Sequence, residues 1–157
     1  MRMTTRYREL IKRPQIAVMV GAYDALSAKL VERAGFDLTF VHDYGVSASL
    51  LGMPDMGVVT LTEMTDILEK VVKAVNIPVI GDGGCGFGNP LNTWRTVREY
   101  ESIGVAGVNW AIQIVPLKFL TASGSGTLSN AIKAVSDNPR SRVKCPNKAV
   151  RYFISVT

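Results

Sequence analysis

Short β-branched apolar runs alternate with segments of helical period along the first two thirds of this 157-residue chain. That alternation constrains the fold more than any other feature, because strand–helix–strand units with short connections put the strands parallel and lay each helix across the sheet. Ile16–Val20 reads as the first strand, and Asp24 caps a helix that runs to Gly35. In that helix Leu26 and Leu30 are set against Lys29 and Arg33, apolar against charged. Leu38–Val41 is the second strand. Thr60 and Glu63 have capping-box spacing, and Leu61, Met64, Leu68, Val71 and Val75 then recur at helical spacing. Ile77–Ile80 reads as the third strand. Asn89-Pro90 opens a helix whose buried side is expected to carry Leu91, Trp94, Val97 and Ile103, and Val105–Trp110 supplies a fourth strand.

This rhythm fades after Val115. Thr121 to Thr127 has a flexible-linker composition, 128–135 is a weak helix candidate, and 136–157 carries no regular pattern. The expected division is therefore 1–115 as a unit of parallel strands and crossover helices and 116–157 as a linker-like, basic tail, disordered or with one short helix. Charge divides near the same place. Residues 1–103 hold 11 Lys and Arg against 12 Asp and Glu, whereas 104–157 hold seven basic side chains against Asp137 alone. The tail's charges are scattered and lack interleaved aromatics, so no nucleic-acid-reading module is expected. No apolar run is long enough to span a bilayer, and the basic start is not followed by a signal-peptide core, which points to a cytoplasmic protein with no membrane role. Two cysteines without motif spacing and the lone His42 exclude a disulfide scaffold and most histidine zinc sites.

Two connections stand out, 43–59 and 81–89, and both follow strand C-termini, where parallel α/β folds place their ligands. Gly81-Asp82-Gly83-Gly84-Cys85-Gly86 contains a formal G-x-G-x-x-G, but it follows the third strand rather than the first, and Phe87-Gly88-Asn89 delays the next helix. The loop is a glycine-rich turn, or it presents Asp82 to a cleft as a ligand for a hard cation, with nucleotide binding through Gly81–Gly86 as a third reading. Asp55, in Gly52-Met53-Pro54-Asp55-Met56-Gly57, is a turn residue or a second carboxylate for the same ion. His42 beside Asp43 reads as a structural histidine, since neighbours in a strand face opposite ways. Cys85 lacks an identifiable base and reads as an incidental small side chain.

Four blocks in register resemble the phosphoenolpyruvate mutase/isocitrate lyase superfamily: Gly21-Ala22-Tyr23-Asp24-Ala25-Leu26-Ser27-Ala28, Gly45 through Asp55, Asp82 with Gly86-Phe87-Gly88-Asn89, and Gly104-Val105-Ala106-Gly107-Val108. The likeness covers roughly residues 5–110. It implies the N-terminal half of a (β/α)8 barrel, about four βα units, and a Mg2+-dependent enzyme, with Mn2+ as an alternative ion. Its substrate would be a small α-oxo or α-hydroxy carboxylate whose C–C or P–C bond is cleaved or formed through an enolate, as in the oxaloacetate decarboxylase, phosphonomutase and 2-methylisocitrate lyase-like branches. By the same resemblance Asp82 is a metal ligand, Asp55 contacts the metal's water shell and takes part in acid/base work, and Tyr44 and Gly45 bind the substrate's carboxylate.

Several positions depart from the pattern. Asp43 replaces the serine usual before the carboxylate-binding turn, placing negative charge beside it, and is grouped with Tyr44 and Gly45 as substrate-binding. Gly84 stands where a second metal aspartate is usual, and Ala111 where a glutamate is usual. Only Pro116 and Lys118 survive of a mobile loop that carries a catalytic cysteine in the isocitrate and methylisocitrate lyases. The expectation is a truncated family member, working as a homo-oligomer. The alternative is a catalytically impaired half-barrel that acts only as an oligomerising or binding module.

Overall fold

The computed structural model describes residues 2–110; Ala111, the 116–121 loop, the linker, the helix candidate at 128–135 and the basic tail all lie outside the described residues. Four strands, β1 Met19–Ala22, β2 Leu38–Val41, β3 Val79–Asp82 and β4 Gly107–Asn109, form one parallel sheet in the order β1-β2-β3-β4. Spatial order follows chain order without reversal. A sheet that keeps adding strands on one side is the winding of a barrel, whereas a doubly wound sheet reverses at a switch point.

Helix α1 Met3–Lys12 precedes the sheet; α2 Ala25–Arg33, α3 Asp43–Leu51, α4 Leu61–Ala74 and α5 Pro90–Ser102 follow in the crossovers. The local signals behave as their chemistry demands. Asp24 accepts from Ser27 N–H at 2.7 Å, and the Ser27 hydroxyl accepts from Asp24 N–H at 3.1 Å, a reciprocal cap on α2. Thr60 and Glu63 cap α4 the same way, and Asn89 Oδ1 accepts from both Leu91 and Asn92 N–H at the start of α5.

Both sheet faces are buried, so the central strands are buried at every position instead of alternating with solvent. Val41 and Val79 join Met64, Leu68, Val71 and Tyr100 in the larger core, between sheet and helices. Leu38, Phe40 and Ile80 face the other way, clustering with Leu10 of α1 and packed by Tyr7 and Met19. Full burial of Met64, Leu68 and Val71 stabilises by about 1.5–3 kcal/mol each.

The structure corrects four readings. The first, third and fourth strands begin two or three residues later than their apolar runs suggest, leaving Ile16 84% exposed. Strand limits follow pairing rather than propensity, and β1 pairs through Gly21 and Ala22 because Gly21 must lie against the His42 ring. Residues 43–51, read as loop, are helix α3, whose Ala, Ser and Leu content is compatible with a helix once its first turn is capped. On α2 the buried residues are Ala28 and Val31, with Leu26 and Leu30 exposed, because small side chains let that helix lie close to its neighbours. On α5, Leu91 and Trp94 are exposed while Thr93, Thr96, Val97 and Tyr100 are buried. The two threonines can be buried because each hydroxyl bonds back to helix or loop carbonyls: Thr93 to Asn89, Thr96 to Asn92 and Gly86. Among the described residues no helix is long and apolar enough to cross a membrane.

Tyr100 ties α5 to the sheet. Its ring is fully buried and its hydroxyl donates to the backbone carbonyl of Asp82, the last residue of β3, at 2.6 Å. Tyr100→Phe leaves that carbonyl without this partner and is expected to lower unfolding free energy by about 1–2 kcal/mol in urea titrations, with the midpoint shifted and the slope unchanged.

Candidate active site

The register of the sheet places the site. Val41 pairs with Gly81 and Asp82 with Asn109, so the C-terminal ends of β2, β3 and β4 lie level, and the residues that follow each strand meet at one rim. Asp82 ends β3 and is 7% exposed. Its Oδ1 accepts from Gly84 N–H at 2.8 Å, and Oδ2 faces the N–H of Asp43 at 3.5 Å. Asp43 is the first residue of α3, and its carboxyl shares hydrogen bonds with both Asp82 and Asp55. Asp55 and Asp82 thus both lie near enough to Asp43 to act on its carboxyl.

Asp55 is held by its turn. Its Oδ1 accepts from Gly57 N–H at 3.2 Å, while the buried Ser47 hydroxyl reaches back from α3 to the carbonyls of Met53 and Pro54 at 3.0 and 3.2 Å. Sequence reasoning passed over Ser47. Its signal is its place inside the Gly45–Asp55 block, on a segment expected to be loop.

His42 has a structural role. It is the N-cap of α3, its Nδ1 accepting from Gly45 N–H at 2.8 Å, so the ring proton belongs on Nε2. A Cβ on Gly45 would lie 2.5 Å from His42 Cε1 and 2.9 Å from Tyr23 Cβ, which is why this turn needs glycine. Burial pushes the imidazole's pKa down, against the opposing pull of Asp82 and Asp55, and keeps it a neutral cap. Tyr44 N–H is also occupied, donating to Asp43 Oδ1 at 2.8 Å. Both backbone donors expected to hold a substrate carboxylate are thus satisfied within the chain.

Electrostatics follow from crowding. Burial, then the charges of Asp82 and Asp55, then hydrogen bonds to both, push Asp43 up to about 8. Asp82 is pushed up by burial, while hydrogen bonds from Gly84 N–H and Asp43 oppose that rise. The pair is consistent with Asp43 carrying the proton and Asp82 accepting it. Cys85 is exposed, and burial with the negative charge of Asp43, Asp55 and Asp82 pushes its thiol up, the opposite of an activated nucleophile. Among the described residues no three His, Cys, Asp or Glu side chains are already arrayed to hold a metal ion. What stands at the rim is a proton-sharing set of hard oxygen donors, a chemistry that suits Mg2+ or Mn2+.

A parallel sheet wound in one direction, with acidic side chains at its C-terminal rim, is the architecture of part of a (β/α) barrel. A family model described as phosphoenolpyruvate phosphomutase matches residues 7–111, and the chain belongs to that family, within the phosphoenolpyruvate mutase/isocitrate lyase superfamily. The 2,3-dimethylmalate lyase of Eubacterium barkeri is 45% identical over 118 residues, which are 75% of this chain and 41% of that protein. The crystal structure of phosphoenolpyruvate phosphomutase from Streptomyces platensis subsp. rosaceus matches with a TM-score of 0.74 at 31% identity, covering 83% of this chain and 47% of that one. A phosphonopyruvate hydrolase solved with oxalate and Mg2+ matches with a TM-score of 0.78, but at 24% identity it shows likeness of fold alone; 87% of this chain and 48% of that one are covered. These relatives include lyases and mutases, and the chain spans less than half their length.

Because Asp43 is raised from its ordinary 3.8 to about 8, the folded chain keeps a proton that the unfolded chain releases as pH climbs through about 4. This group's contribution to stability is fully present below that pH and is lost as pH rises to about 8. Asp43→Asn removes the dependence. Calorimetry in chelator should show the variant's Tm rising relative to the parent between pH 5 and 8.5.

Proposed function

We propose that this chain carries the cation- and oxo-acid-binding part of a Mg2+-dependent lyase or mutase, cleaving or forming a C–C or P–C bond in a small α-oxo or α-hydroxy carboxylate. One observation carries the reading: the carboxylates of Asp82, Asp43 and Asp55 meet at the C-terminal rim of a barrel-type sheet, in a chain whose relatives include lyases and mutases. The donor set fits the ion, since Mg2+ favours hard oxygens and needs only one or two protein carboxylates. Asp82 and Asp55 would hold it. When bound, the cation supplies positive charge beside the substrate oxygens on which negative charge develops as the bond breaks.

The chain's own groups divide the remaining tasks. Gly84 N–H fixes one oxygen of Asp82 and leaves the other turned to the rim. Asp55, in the turn that Ser47 pins, would do acid/base or orienting work. The start of α3 carries the partial positive charge of a helix N-terminus, suited to a substrate carboxylate. Tyr44 and Gly45 N–H groups would have to exchange Asp43 Oδ1 and His42 Nδ1 for that ligand.

The test is turnover by the purified full chain. A panel of small α-oxo and α-hydroxy acids, including phosphonates, should yield pyruvate or another oxo-acid product only with Mg2+ or Mn2+ present. Asp82→Asn should lower kcat/KM by about 100-fold or more, the scale of losing a group that stabilises developing charge. No turnover across the panel with either ion would overturn the reading.

A further inference from the structure

We propose that Asp43 is itself a ligand of the divalent cation, the carboxylate that completes the site with Asp82, rather than part of the substrate's carboxylate pocket. The inference rests on the reading of this rim as a cation site. It starts from what residue 84 lacks. Gly84 has φ +49° and no side chain, and the point its Cβ would occupy is 3.7 Å from Asp43 Oδ2. The Asp43 carboxylate thus reaches across from another βα unit into space beside a side chain that residue 84 does not provide.

The surroundings of Asp43 favour a cation over an anion. Its backbone N–H faces Asp82 Oδ2 at 3.5 Å, and its carboxyl shares hydrogen bonds with Asp82 and Asp55. Asp82 is nearly buried, with Oδ1 taken by Gly84 N–H. Without a cation between them, an incoming carboxylate would meet three acidic groups there, while the donors that could receive it, Tyr44 and Gly45 N–H, are engaged by Asp43 Oδ1 and His42 Nδ1. A dication brings the opposite sign, and two facing carboxylates on adjacent elements are what an oxygen-seeking ion of this size uses.

The test moves the carboxylate instead of only deleting it. Mn2+ binding to the full chain is followed by electron paramagnetic resonance and Mg2+ binding by calorimetry, neither of which needs a substrate. Asp43→Asn should weaken both by at least about 10-fold, the lower end of what losing even an outer-shell partner costs. Adding Gly84→Asp to that variant should restore binding, because aspartate tolerates positive φ and returns a carboxylate beside Asp82. Asp43→Glu provides a charge-preserving control, expected to bind more tightly than Asp43→Asn. If the parent binds and Asp43→Asn binds equally well, the inference fails and the cation site stands without Asp43. If the parent takes up neither ion, the cation reading of the rim fails with it. Far-ultraviolet circular dichroism of each variant separates lost ligation from lost fold.

Discussion

Like charges held close together are the constraint on which this rim depends. Asp43, Asp55 and Asp82 arrive from separate positions in the chain, and the sheet and the α3 turn leave them little freedom to part. In water each would be ionised at neutral pH. Drawn out of water, Asp43 and Asp82 reach neutrality by retaining a proton or gaining a cation, and Asp43 accordingly stays protonated far above the usual carboxylate range. A folded protein that maintains such an arrangement accepts a loss of stability at a place where function can use it.

The scaffold reconciles that strain with a firm core. Asp82 sits at the outer end of a strand whose other residues are buried on both faces, and the Tyr100 hydroxyl secures its carbonyl from below. Ser47 does the equivalent for the Asp55 turn, and His42 for the first turn of α3. Each of these groups works through the backbone. None needs to touch a ligand to decide where the acidic side chains lie.

Much of the fold could be read from the sequence, for reasons that differ by element. Leu38–Val41 was found to the residue because a β-branched run coincided with its paired length, and the α4 cap because Thr60 and Glu63 recognise each other locally. The displaced limits of β1 and β3 depended on neighbours that the sequence does not name. Helix faces failed where small or hydroxyl-bearing residues do the packing: Ala28 on α2 and Thr93 and Thr96 on α5 look like weak core residues until their close approach and back-bonded hydroxyls are seen. At the site, glycine and proline punctuation drew attention to Asp55 and Asp82, but the central place of Asp43 depended on α3 being a helix. Its proximity to Gly84, 41 positions further along the chain, belongs to tertiary structure alone.

The alignment of β2 with β3 carries an evolutionary consequence. Thr39 stands opposite Val79 and Val41 opposite Gly81, and side chains alternate between faces along each strand. Sliding β3 by a single position would turn Asp82 toward the opposite side and bring an apolar residue to the rim, a change no later point substitution could easily reverse. Length variation is therefore tolerable in the segments that rejoin the strands from outside, but ruinous within the strands themselves. Lineages descended from such a scaffold can exchange which loop donates an acidic group, as long as the sheet beneath never shifts its count.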